Sequence, residues 1–173
     1  MYAGFWLRLK AFAFDYLLIF GYMMVLLIFS IFLMPSIQGW FQVSQLTAQL
    51  AGFFLLTLPI SLYFIFADSR IGKQSFGKRR TAIRVVDENN RSISAVRAVF
   101  RTVLKFLPWE LSHFMAYRMI YLGTEEILLV DYLVGGSVYL LIFFYISMAI
   151  FTKSKQSVYD RLTKTYVIKS NFL

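Results

Sequence analysis

The chain has 173 residues, 59% of them hydrophobic and 16% charged, with a net charge of +9. A soluble domain sits nearer about half apolar and about a quarter charged, so composition excludes an ordinary soluble fold and points to one domain, residues 1–173, embedded in the lipid bilayer. Without cysteine there are no disulfides or thiolate metal sites, and because most of the surface must face lipid, the basic charge reads as topology rather than as nucleic-acid binding.

The first predicted span covers residues 11–34 and stops at Pro35. It is longer than the apolar part of a signal peptide and no small-residue cleavage site follows, so it reads as a retained anchor. Between Lys10 and Arg70 the only charged residues are Asp15 and Asp68. A second span, residues 47–67, contains Pro59, which is expected to kink it. Residues 97–122 are apolar but carry Arg97, Arg101 and Lys105 near one helical face. Pro108 then interrupts the pattern and is suited to opening a new helix. From Pro108 to Tyr121 such a helix would be only ~21 Å long, short of the ~30 Å hydrocarbon core. The segment therefore either crosses as a whole or re-enters with its second half. A last span, residues 127–151, is expected to start at Thr124-Glu125-Glu126, a hydroxyl cap followed by acids at the positive helix end. Ala48-x-x-x-Gly52 and Gly135-Gly136-Ser137 are candidate points of close helix approach.

Charge decides between the topologies. If residues 97–122 cross, both termini share one side with the loop 68–96 and the tail 152–173, and that side holds every lysine and arginine except Arg118. The positive-inside rule makes it the cytoplasmic side of the cell membrane. The expected fold class is an all-α integral membrane protein of about four transmembrane or re-entrant helices.

The cytoplasmic loop contains Gly72, four residues, then Gly77-Lys78, the spacing of a phosphate-binding loop. Such a loop follows a buried strand, opens a helix, and carries Ser or Thr after the lysine to hold magnesium. Here a membrane span precedes it and Arg79 follows Lys78, so nucleotide binding is rejected. Residues 81–94 alternate like a strand and turn at Asp87–Asn90, which predicts a short β-hairpin. Lys73, Lys78, Arg79, Arg80 and Arg84 read as a basic loop lying on anionic headgroups, together with the Arg97/Arg101/Lys105 helix along the inner face.

Three blocks carry a resemblance to a known family. They are FWLRLKAFAFDYLLI, SFGKRRTAIRVVDENNRSISAVRAVFR and QSVYDRLTKTYV. In order and in placement around the spans they resemble the RDD family, membrane proteins named for one arginine and two aspartates. The resemblance implies that Arg8, Asp15 and Asp160 are the signature residues, and it brings a suggestion of transport without a settled ligand. Phe76 stands where the family often has Pro, Ala82 and Lys164 where it has Gly, and Tyr159 where it has His.

Two readings of these residues stay open. Asp15 sits one or two turns inside the first span, where a charged aspartate costs about 2.5–3.5 kcal/mol and so faces an interior or a wet pocket. It is either a monovalent-cation or proton site, or a residue bonded to polar groups of neighbouring helices while Arg8 pairs with Asp160. Glu110, His113 and Tyr117 recur on one helical face. They would face Asp15 if their segment enters the bundle. Gly135-Gly136-Ser137 lacks a partner base, and no metal-ligand spacing is present, so neither an enzyme nor a cofactor is expected. Function is expected to be cation or proton transport, with a homo-oligomer forming the path. The alternative is a non-catalytic adaptor for another membrane protein.

Overall fold

The computed structural model describes residues 1–124 and 126–170. Helix α1 (Phe5–Ile28) runs on through a π-helical turn, Phe29–Leu33, and ends before Pro35. After α2 (Ser36–Val43), Ser44 caps α3 (Gln45–Gly52) by accepting from the Thr47 amide at 3.2 Å. A second π-helical turn, Phe53–Thr57, links α3 to α4 (Leu58–Asp68). A short helix α5 (Phe76–Arg80) and strand β1 (Ile83–Asp87) follow, then α6 (Ala95–Tyr121), capped by the Ser94 hydroxyl at 3.3 Å from the Arg97 amide. The chain closes with α7 (Leu129–Phe151), α8 (Val158–Leu162) and β2 (Thr165–Lys169).

Three stretches are long and apolar enough to cross a membrane: Phe5–Leu33, Gln45–Asp68 and Leu129–Phe151. Their apolar side chains point outward: Leu17, Val25, Phe32, Leu133, Phe143 and Phe151 are all exposed. Buried positions include many small or polar residues, among them Ala11, Asp15, Thr57, Asp68 and Arg101, beside an apolar cluster of Ile19, Ile60 and Phe64. This inversion is what a lipid solvent imposes, since apolar surface gains nothing by leaving lipid and polar surface must.

Pro108 does not open a helix. It lies inside α6, which is continuous from Ala95 to Tyr121, and Pro59 likewise sits in the first turn of α4. A proline removes the donor for the carbonyl four residues earlier. Both orphaned carbonyls are met by tyrosines from other helices. Tyr22 of α1 donates to Leu55 O at 2.5 Å, and Tyr145 of α7 donates to Leu104 O at 2.6 Å. Neighbouring side chains thus restore what each proline breaks, as intramembrane backbone requires.

The start of α7 also differs from expectation. Thr124 lies in a turn, Glu125 falls outside the described residues, and α7 begins at Leu129. Asp131 supplies the cap, accepting the Leu128 amide at 3.0 Å, and Arg118 of α6 approaches the same carboxylate at 3.3 Å. An acid three residues inside the helix reaches back to the first free amide, which Glu126, three residues ahead of the helix, lies too early to do. Of the two small-residue stretches, Gly52 meets Tyr117, whose hydroxyl lies 2.7 Å from where a Cβ would sit, whereas Gly136 faces open space.

The loop does not close on itself as a hairpin. Asp87 folds the turn, its Oδ1 accepting the Asn89 and Arg91 amides at 2.9 Å each. Beyond it Arg91-Ser92-Ile93-Ser94 offers one apolar residue before α6 begins, and Ile93 makes only an isolated bridge to Ser69. β1 pairs instead with β2, antiparallel, Val85 opposite Val167, because the tail supplies the matching alternation of buried Thr165 and Val167.

That pairing unites two copies of one local motif, residues 75–87 and 157–169. In each, a serine precedes a five-residue helix, α5 or α8. A threonine then donates back to the carbonyl four residues earlier, Thr81 to Gly77 O at 2.9 Å and Thr163 to Tyr159 O at 2.7 Å. The next residue is left-handed, with φ of 51° at both Ala82 and Lys164, and a strand follows. The two strands meet about an approximate twofold axis through Val85 and Val167. Ala82 and Lys164 stand where the resemblance implies glycine, and a Cβ at such φ costs about 1–2 kcal/mol.

Two outcomes test this description. Tyr145→Phe is expected to lower stability in detergent by about 1–2 kcal/mol, and much less in a Pro108→Ala background, where residue 108 regains an N–H for Leu104. Chemical denaturation of the four proteins of that cycle measures the coupling. Ala82→Gly and Lys164→Gly should each raise stability by about 0.5–1 kcal/mol once the looser unfolded chain is allowed for, read by the same assay.

Candidate functional site

At the basic end of the bundle five charged side chains form one buried chain of alternating sign. Arg8 Nη1 donates to Asp160 Oδ2 at 2.5 Å. Arg101 donates through Nε and Nη2 to Asp160 Oδ1 at 3.0 and 2.8 Å, and through Nη1 to Asp68 Oδ2 at 2.7 Å. Lys78 completes the chain on Asp68 Oδ1. Arg101, Asp68 and Asp160 are at most 3% exposed. The five come from α1, α4, α5, α6 and α8, so the network ties loop, tail and bundle together.

Lys78 is thus not a surface residue. Its ammonium is drawn inward by Asp68, whereas Lys73, Arg79 and Arg80 are exposed and Arg84 is half-buried. Arg101 is no surface residue either; α6 stands in the bundle against α4 and α7 rather than along its face, because two buried carboxylates need its forked donors. Asp160 lies outside the apolar spans. Burial works to raise its pKa, but Arg101 and then Arg8 outweigh it and hold the carboxyl below its ordinary value.

Asp15 does not meet Arg8. Its Oδ1 accepts from the Gly77 amide at 2.7 Å and the Tyr63 hydroxyl at 2.9 Å, and its Oδ2 from the Ser75 hydroxyl at 2.6 Å. Tyr63 in turn accepts from the Phe76 amide at 2.9 Å. The carboxylate, 1% exposed, therefore clamps the start of α5 onto α1. Gly77 permits the contact, since a Cβ there would lie 1.8 Å from Ala11 O. The glycine and lysine that imitate a phosphate loop thus serve close packing and an ion pair.

Glu110, His113 and Tyr117 do not face Asp15. They face the second span, because α6 presents that side to α3 and its π-helical turn. Glu110 accepts from the Thr57 hydroxyl and from Gln49 Nε2 at 3.3 Å, and His113 Nδ1 lies 3.8 Å from its Oε1. The His113 ring stands edge-on to Trp109 at 4.6 Å between centroids. Glu110 and His113 are each about 25% exposed. Asp68, Arg101 and Gln49 were not picked out as site residues from sequence. Asp68 carried a signal, as one of two charged residues between Lys10 and Arg70, but nothing local marks its partner.

The family model of the RDD family matches residues 2–164, and the chain belongs to that family. No curated protein and no solved structure matches it. The match takes in Arg8, Asp15 and Asp160, the signature residues implied by the resemblance, and the structure separates them into two places: Arg8 with Asp160 in the charge chain, Asp15 in the α5 clamp.

Because the Asp160 pKa is depressed, its contribution to stability is complete above the ordinary aspartate value of about 3.9 and is lost as pH falls through the lower folded value. Asp160→Asn should therefore cost about 3–5 kcal/mol near neutral pH, with the difference from the native chain shrinking only below about pH 4. Unfolding in detergent across that pH range measures it. Gly77→Ala should destabilise by more than about 1–3 kcal/mol, since backbone rather than a side chain must move.

Proposed function

We propose that this RDD family protein crosses the cell membrane four times with both termini cytoplasmic, and that it exchanges a monovalent cation or proton at a mid-membrane carboxylate, Glu110. The reading assigns it no chemical transformation and no cofactor. The topology rests on α6, which at 1.5 Å per residue is about 40 Å long and packs beside α3, α4 and α7. It rests equally on the collection of every lysine and arginine but Arg118 at one end.

The observation that carries the choice of Glu110 is its position. It lies ~22 Å along α6 from Ala95 and ~17 Å from Tyr121. Among the described residues it accepts from the neutral Thr57 and Gln49, with His113 Nδ1 at 3.8 Å, and no lysine or arginine is seen paired with it. An ionisable residue inside a membrane is a functional candidate by default. Thr57, one of its partners, closes a π-helical turn, a feature that recurs at functional sites. Asp15, by contrast, is satisfied by three protein donors and serves architecture.

A second reading, a non-catalytic adaptor, is favoured by the rigid basic cap, which presents Lys73, Arg79 and Arg80 outward while the charge chain fixes it to the bundle. The two are separated by cation-induced pH change in inside-out vesicles with sodium, potassium and lithium. Glu110→Gln is expected to abolish the signal at unchanged folded yield, whereas Asp15→Asn should lower folded yield but not the signal per folded molecule. Native-level exchange in Glu110→Gln would sink the transport reading. A silent native protein that brings down one stoichiometric membrane partner after crosslinking would establish the adaptor.

A further inference from the structure

A cavity of about 490 Å³ lies between α1, α6 and α7 near the basic end. Its volume is that of a site for one small organic ligand. The wall is predominantly apolar, with Phe12 from α1, Phe106 and Trp109 from α6, and Ile142 and Ile146 from α7.

The charges on that wall do not balance. Arg8, Lys78 and Arg101 reach it while engaged with Asp160 and Asp68. Asp15 reaches it with both oxygens already accepting from protein donors. Lys105 has no carboxylate partner among the described residues. Its ammonium rests on aromatic faces, 3.7 Å from the Phe64 centroid, 5.4 Å from Phe106 and 5.6 Å from Phe12. Arg8 adds a second unmet donor, since its Nη2 is buried without a hydrogen-bond partner. Rings stabilise a desolvated cation by only about 2 kcal/mol. An anion that also hydrogen-bonds the ammonium would contribute more.

We propose that this cavity binds an anionic lipid of the surrounding bilayer, its phosphate held by Lys105 and Arg8 and one acyl chain lying along Phe12, Ile142 and Ile146. Excess positive charge selects an anion, and the apolar remainder of the wall selects one that carries a hydrocarbon chain. Lys105 lies one helical turn beyond Arg101, ~6 Å along the axis, so its long stem can lift the ammonium toward headgroup level as buried lysines in membranes do. The site shares no charged residue with the Glu110 cluster, Trp109 alone touching both, and it stands or falls apart from the transport reading.

The test uses the full chain, purified and delipidated in an uncharged detergent, with thermal unfolding followed as lipid is titrated. Dioleoylphosphatidylglycerol is expected to raise the Tm saturably and dioleoylphosphatidylcholine is not. Lys105→Met should weaken the apparent affinity at least tenfold while its lipid-free Tm stays close to native. Lys105→Arg should retain the effect, and Lys73→Met, an exposed control, should not change it. Equal stabilisation by the two lipids, or a native response in Lys105→Met, overturns the proposal. So does inorganic phosphate matching phosphatidylglycerol, because the apolar wall would then be unused. Oleate acting where phosphatidylglycerol does not would equally refute a bilayer lipid as the source. Should Lys105→Met fail to fold, loss of the phosphatidylglycerol effect in Ile146→Trp, which fills the apolar end, supports the site, and its persistence there refutes it.

Discussion

Arg101 holds two aspartates at once, and the arrangement of every other element at the basic end follows from that. One guanidinium donates to Asp68 at the end of α4 and to Asp160 on α8. Arg8 and Lys78 extend the alternation on either side. Buried charges are costly to desolvate and are tolerated only when paired and hydrogen-bonded. Five alternating charges on five separate elements leave few ways to satisfy the set, so the network specifies where the loop and tail must sit. Removing any inner member strands its partners, which is why the cap is coupled to the spans rather than tethered beside them.

The same accounting governs the apolar part of the bundle. Lipid cannot hydrogen-bond a carbonyl freed by proline, so Tyr22 and Tyr145 do so from adjacent helices. Each bond marks where one helix must lie against another, and the prolines thereby become docking points as well as interruptions. Asp15 works likewise: the carboxylate needs donors, α5 has free ones at its start, and Gly77 allows the two backbones to approach. Outside these arrangements lie Glu110, beside Thr57, Gln49 and His113, and Lys105 among aromatic rings. Neither group belongs to the charge chain.

The paired motifs, residues 75–87 and 157–169, give the cap an internal symmetry that the sequence barely displays. Few residues are shared between them, and the matching features are a serine before each helix, a threonine after it and a left-handed residue before the strand. Lys78 and Asp160 occupy equivalent positions with opposite charge. Through Asp68 and Arg101 they are joined into one chain, so the near-twofold arrangement is closed by complementary rather than identical residues.

Long apolar runs, the breaks at Pro35 and the loop, and the collection of basic charge at one end are local or additive properties, and they were legible because lipid acts on composition before any packing is formed. The RDD signature was legible for the same reason, since Arg8, Asp15 and Asp160 each sit in a recognisable block. Partnership was not legible. Asp87–Asn90 announces a turn, yet the strand it follows pairs with the distant tail strand Thr165–Lys169, because pairing depends on which apolar edge the charge chain brings alongside. Pro108 looks like a boundary in a linear reading, and only the tyrosine supplied by another helix turns it into an interior position. Sequence by itself determined that this protein lives in lipid and which side of it is basic. Tertiary structure decided which carboxylates enter the charge chain and which are met by neutral donors, because a buried charge is defined by its partners in space rather than by its neighbours in the chain.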